Sequence, residues 1–473
     1  MFSASKKQEA ATDSLLKRKK NMSDKQNNAL RPFGMRDKIG YAMGDFGCNM
    51  SFSFISSYMI TFFVICMKID PVVCGVLIFI GKVFDAINDP IVGGLVDSSR
   101  PGKEGKFKTW IKWASIPLLI CSVLMFIYVP NAPMAVKIAM CLGLYCLWSV
   151  AYTSVNVPYG SMQSVITKEP TERSELSTWR SIGAMLAQIP IMILIPLIIF
   201  DDSNNPIGSR FIYCVAVMGV LGWVGFYLCR KMTTERIKPE AVQPEKFNYL
   251  NTIKSFFKNK NILAVTIASF AQLAFMMSVT NTMQYVFMCY FKNAKLISVA
   301  TVIAGLPVGI GIVLLKPAIK RFSKKQLCTY PFVLSFIGAG VASFVRLSNP
   351  LVWMIFIGLT MMGTSFFTVL MWALVADCID FQEQKSGRRE ESSIYATYSF
   401  FRKVAQGACS LIVTFVLKIS AYDTELDAAS QAAGVPEKLY TLTGLMPLIG
   451  AVIAFVSMYF LYKLNDNAME EER

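Results

Sequence analysis

The segment Lys82-Val83-Phe84-Asp85-Ala86-Ile87-Asn88-Asp89-Pro90 lies inside an otherwise apolar run from about Pro71 to Val96. That run can cross a bilayer, since about 20 helical residues span the roughly 30 Å hydrocarbon core. A helix through it stacks Asp85 and Asp89, one turn apart, on a single face. A charged side chain at membrane depth costs about 2.5–3.5 kcal/mol on insertion scales. The two carboxylates therefore need cations, donors or water to face. One reading is a structural pair satisfied by Lys82 and neighbouring helices. The other, adopted as the expectation, is a cation site in a water-filled path.

The rest of the chain matches that segment. Of 473 residues, 54% are hydrophobic and only 16% charged, against about 25% charged in a soluble domain. Apolar spans recur at approximately 36–67, 71–97, 109–129, 137–165, 175–199 and 210–230, then at 258–291, 295–316, 326–346, 350–379, 392–419 and 439–463. This predicts an all-α, polytopic membrane protein with twelve spans in two groups of six. The net charge of +16 does not point to nucleic acid, because Lys and Arg cluster in the short gaps between spans, where they set orientation. The sequence has no histidine, so no imidazole carries protons or holds a metal. Its twelve cysteines include no C-x-x-C pair and read as small buried hydrophobes. No nucleophile–base pair or metal-ligand spacing supports an enzyme. No sizeable soluble domain supports a sensor or scaffold.

The even-numbered connections are basic (Arg100 to Lys108, Lys168 to Arg173, Arg230-Lys231, Lys320 to Lys325, Lys385 to Arg389), whereas the odd ones are short or acidic, such as Asp201-Asp202 and Asp423 to Asp427. The positive-inside rule then places both termini in the cytoplasm of a plasma or inner membrane. The expected organisation is a basic tail (1–34), a six-helix bundle (35–230), a cytoplasmic linker (231–255), a second bundle (256–465) and a short tail (466–473). Matching span counts suggest the pseudo-two-fold design of secondary transporters, with the substrate site between the halves.

Other polar residues interrupt the spans. Asp45 and Asn49 lie in the first, and Tyr152, Asn156 and Tyr159 share a face of the fourth around Pro158. Arg180 enters the fifth and could snorkel to the interface. Tyr395, Tyr398, Arg402 and Gln406 recur at helical spacing in the eleventh, with Lys403 adjacent. Such equipment suits hydroxyl-rich ligands, because amides and carboxylates exchange hydrogen bonds with hydroxyls and aromatic faces pack on sugar rings. A lipid headgroup would suit it equally.

Five segments carry a family resemblance: Gly44-Asp45-Phe46-Gly47-Cys48-Asn49, Phe84 through Pro90, Gly105-Lys106-Phe107-Lys108-Thr109-Trp110, Asn156-Val157-Pro158-Tyr159-Gly160-Ser161 and Val375-Ala376-Asp377-Cys378-Ile379-Asp380. From about Phe33 to Leu464 the chain resembles the glycoside-pentoside-hexuronide:cation symporters of the major facilitator superfamily. The resemblance implies cation-coupled symport of a sugar or glycoside by alternating access. It implies a sodium, lithium or proton site at Asp85 and Asp89, which Asn88 or a nearby hydroxyl could complete. It implies that Asn49, Asn156, Tyr159, Arg180 and Lys403 form the substrate site. Asn49 and Asn156 stand where melibiose permease has aspartates, and Gly160 where it has a tryptophan, so galactoside specificity does not carry over. Asp45, Lys82 and Arg402 are expected to serve coupling, with Lys82 and Lys403 as competing counter-charges for the aspartates. Asp97, after Gly93-Gly94-Leu95-Val96, resembles part of the superfamily's gating loop; simple positive-inside anchoring is the alternative. A lysolipid transporter of the same superfamily is the second reading, and it would show an apolar lateral cleft. No cofactor, no nucleic acid and a monomer in the lipid bilayer are expected. An acidic sugar fits electrostatically because Arg180, Arg402 and Lys403 supply cations, unless Asp45 neutralises one of them.

Overall fold

The computed structural model describes residues 31–102, 104–167, 169–237, 259–386 and 391–464. Among them, twelve helices are long and apolar enough to cross a membrane. They are α1 (Met35–Cys66), α2 (Pro71–Val96), α3 (Lys106–Met125), α4 (Met134–Ile166), α5 (Thr171–Ile199) and α6 (Gly208–Met232), then α7 (Lys260–Cys289), α8 (Ala294–Leu315), α9 (Lys324–Phe344), α10 (Pro350–Ile379), α11 (Thr397–Ile419) and α12 (Val435–Leu461). The helix of α10 runs on to Ser386, and that of α11 begins at Glu391. No strand occurs among the described residues. The tails 1–34 and 466–473 and the linker 231–255 lie wholly or largely outside the described residues.

Local chemistry explains the key helix. Asp70 caps α2 by accepting from the backbone N–H of Val72 and Val73, with Pro71 at the first helical position, where its missing N–H costs nothing. Along α2, Phe84, Ile87, Ile91 and Leu95 form an exposed apolar stripe, the face a bilayer would solvate. Asp85 and Asn88, beside that stripe, are buried.

Helices α1–α6 pack mainly on one another, as do α7–α12; α2 against α11 and α5 against α8 join the two sets. The first seam is tight: a Cβ on Gly75 would lie 2.0 Å from the Thr414 hydroxyl oxygen. Small residues permit this approach, as in other membrane helix pairs.

The two ends of the bundle differ. At the odd-connection end, bonds cross between the halves. Lys295 pairs with Asp202 at 2.8 Å, Lys418 approaches Asp70 at 3.6 Å, and Lys68 pairs with Glu425. Asn204 bonds the backbone of Lys292 and Ala294, while Asn205 accepts from the N–H of Ala428. At the even-connection end, the described bonds stay within a half. Asp37 joins Arg31 and Arg236, Lys324 joins Asp377, and Glu235 accepts from the N–H of Lys106 and Lys108. Burial holds the Glu235 carboxyl above its ordinary range, although those N–H groups pull the other way.

Candidate functional site

The aspartates of α2 meet two hydroxyls on α4 and a lysine on α11. Ser149 donates to Asp85 Oδ1 at 2.5 Å, and Thr153 Oγ1 lies 2.9 Å from Asp89 Oδ1 and 3.5 Å from Asp85 Oδ1. Serine and threonine here are four residues apart, the same spacing as the aspartates, so two facing helices present matching stripes. Lys403 Nζ lies 3.1 Å from Asp85 Oδ2 and is also paired with Asp89. One lysine from the second half thus bridges both carboxylates of the first. Asn88 is buried beside them, and its Nδ2 has no hydrogen-bond partner among the described residues.

Lys82, expected as a competing counter-charge, faces aromatic rings. It is buried, and its ammonium sits 5.0 Å and 5.8 Å from the ring centroids of Phe52 and Tyr145. No ion pair joins it to either aspartate among the described residues. The reason is directional: side chains on a helix tilt toward its N-terminus, so Lys82 leads away from Asp85 and into the aromatic pair.

A second cluster lies on α1, α4 and α5. Arg180 Nε donates to Asp45 Oδ1 at 2.9 Å, so this arginine turns inward rather than snorkelling. Asn49 Nδ2 donates to Asp45 Oδ2 at 2.9 Å. The pair depends on a close helix approach, since a Cβ on Gly183 would lie 2.0 Å from the carbonyl oxygen of Ala42. Tyr159 is fully buried; its hydroxyl donates to the Tyr41 carbonyl at 2.8 Å, its ring stacks on Tyr41, and the Arg180 guanidinium lies 5.4 Å from its centroid. In this arrangement Tyr41 covers that ring, and Tyr159 supports Arg180. Asn156 is half-buried and makes no hydrogen bond among the described residues. Tyr152 stacks on Trp148 and Phe52. The side chain of Asp97 lies outside the described residues.

On α11, Arg402 lies 4.8 Å from the Trp372 ring centroid and 5.8 Å from that of Tyr398. Sequence reasoning did not single out Ser149, Thr153, Tyr41 or Trp372. The i, i+4 hydroxyls of Ser149 and Thr153 were the available signal. Nothing local to Trp372 announces its arginine, 30 residues on.

This polar cluster spans the seam, with carboxylate and hydroxyl oxygens on one half and an ammonium from the other. It is unlike an apolar groove of about 590 Å³ on the flank of the first half, lined by residues of α3 and α4 such as Trp110, Trp113, Pro117 and Leu147. None of the polar site residues lines that groove.

Comparison with known proteins agrees with this picture. Residues 40–466 match the family model described as "MFS/sugar transport protein". The chain is 30% identical over 435 residues to a Bacillus subtilis protein named "Uncharacterized symporter YjmB", covering 91% of this chain and 93% of that one. It is 29% identical to the "Putative sulfoquinovose importer" of Escherichia coli (94% of each chain) and 26% identical to that organism's "Glucuronide carrier protein homolog" (92% and 94%). Its fold is similar to the crystal structure of a D-xylose–proton symporter, with a TM-score of 0.65 at 12% identity, over 90% of this chain and 98% of that one. These relatives are transporters, not enzymes, and the chain belongs to the MFS/sugar transport family, a multi-pass helical membrane protein of the glycoside-pentoside-hexuronide:cation symporter type.

Proposed function

We propose that the chain carries a sugar or glycoside across the plasma membrane together with a monovalent cation, by alternating access, with both termini cytoplasmic. The observation that supports this most is Lys403 bridging Asp85 and Asp89 across the seam. In the cation-free state its ammonium supplies the charge that two neighbouring carboxylates require. A sodium or lithium ion, or a proton, displaces it, with Ser149 and Thr153 completing an all-oxygen shell; hard cations prefer such ligands. Releasing Lys403 frees one half from the other, which is how cation binding reaches the transport movement. The bonds joining the halves at the odd-connection end are those of an inward-facing state if the basic connections are cytoplasmic.

The sugar binds beside this site, against Asn49, Asn156 and Arg180. The names of the relatives favour sugar cargo over a lysolipid, and the apolar groove on the flank of one half is set apart from the polar stripe. Vesicles bearing the protein, given a panel of labelled glycosides with and without sodium and with an imposed pH gradient, test the reading. At least one glycoside should accumulate uphill, and only while the matching cation gradient lasts. Equilibration without regard to any cation gradient would contradict coupling. No uptake of any glycoside would contradict the sugar assignment.

A further inference from the structure

Both halves place an arginine of their fifth helix over an aromatic ring of their fourth. Arg180 lies 5.4 Å from the Tyr159 centroid and Arg402 lies 4.8 Å from that of Trp372. Each arginine stands about three turns from the even-connection start of its helix, counted from Pro170 and from Glu391. Tyr159 lies two turns before its helix ends at Ile166, whereas the helix carrying Trp372 runs on to Ser386.

The halves differ in what neutralises the guanidinium. Arg180 has Asp45, about three turns along α1, at 2.9 Å. At the matching level of α7 stands Ser269, whose hydroxyl lies 2.7 Å from that of Tyr398. One turn further on, Gln272 donates to Thr368 of α10 and keeps a buried Oε1 that has no partner among the described residues. Among the described residues no carboxylate pairs with Arg402. Its bond is to the sulfur of Met371, 2.9 Å from Nη1.

A half-buried cation without an anion is unfavourable. Stacking on an aromatic face relieves part of this and leaves the fork of N–H donors at the guanidinium edge. Lys82, also held against aromatic rings, is buried at the seam beside Gly407 of α11, whereas Arg402 rests on a ring that is 39% exposed. We propose that Arg402 on its Trp372 platform is the subsite for an acidic group of the transported sugar, a carboxylate or sulfonate, which provides the counter-charge that Asp45 provides to Arg180. A single uncompensated arginine matches a monoanion; a phosphate monoester, near two negative charges at neutral pH, would leave one unmet. The inference rests on the reading that the chain carries sugars.

The test is calorimetric binding of a glucuronide and its matching uncharged glucoside to the purified full chain. The native protein should favour the glucuronide by about tenfold or more, the usual value of a hydrogen bond to a charged group. Arg402→Gln should bring the ratio close to one. Arg402→Lys, which keeps charge without the flat fork, should leave it intermediate. Trp372→Leu should lower it too, and decides the matter if Arg402→Gln does not fold. Equal binding of both sugars by the native protein, or a ratio that survives these variants, overturns the subsite and leaves sugar transport standing. Failure to bind either sugar overturns both.

Discussion

The two halves share a helix plan but not a charge plan. The first holds the carboxylates: Asp45 on α1, Asp85 and Asp89 on α2. The second answers with cations on α11, Lys403 and Arg402. Within the first half, Asp45 is matched by Arg180 from its own bundle. Asp85 and Asp89 are matched only across the seam, by Lys403. A pair inside one bundle moves as a unit and stabilises it. A pair across the seam is made or broken when the bundles move. The difference teaches which charges hold a half together and which report its position.

The largest expected effect comes from removing the charge that crosses the seam. In Lys403→Met, two carboxylates remain without their ammonium, and any added cation no longer has to displace it. Cation affinity, measured by titrating sodium or protons against intrinsic fluorescence, should rise by about ten- to hundredfold, within the 5- to 150-fold range typical of coupled sites. Unchanged affinity would mean that Lys403 does not compete with the cation, and the seam pair would become structural.

A smaller effect is expected inside the first half. Gly183→Ala puts a methyl against the Ala42 carbonyl, so α5 must move away from α1 and Arg180 loses reach of Asp45. Overpacking of this kind costs about 1–3 kcal/mol. The melting temperature should fall while the sodium or proton dependence of whatever binding remains is kept. A variant that instead loses cation dependence and keeps its stability would show that the Arg180–Asp45 pair belongs to coupling, erasing the contrast between the two kinds of pair.

How much of this the sequence discloses depends on distance along the chain. The twelve spans and the Asp85–Asp89 stripe are written in local hydropathy and in the i, i+4 period, and both are legible. Lys403 is identified by the family resemblance, and only the packing of α11 on α2 shows its contact with both aspartates. What is not legible lies where side-chain direction decides. Lys82 is near Asp85 in sequence yet leans toward the helix N-terminus and into Phe52 and Tyr145. Tyr159 shares a spacing with Asn156 but rotates into α1, where the Tyr41 carbonyl takes its hydroxyl. Arg402 and Trp372 belong to different helices, and only packing brings them together. Periodicity reports which residues share a face, and not what that face meets.

The central claim is that Asp85 and Asp89 couple the driving cation to the sugar. Two variants test it, Asp85→Asn and Asp89→Asn, each reconstituted in vesicles. Sugar affinity is measured with and without cation, and uphill accumulation is measured separately. Coupling is reciprocal, so a cation that tightens sugar binding by about 5- to 150-fold is itself held more tightly by that factor when sugar is bound. The account predicts that each variant inserts normally, still binds sugar, loses the cation's effect on that affinity and loses accumulation. A variant of either residue that still concentrates sugar against its gradient would contradict it, and would return the stripe to a structural role.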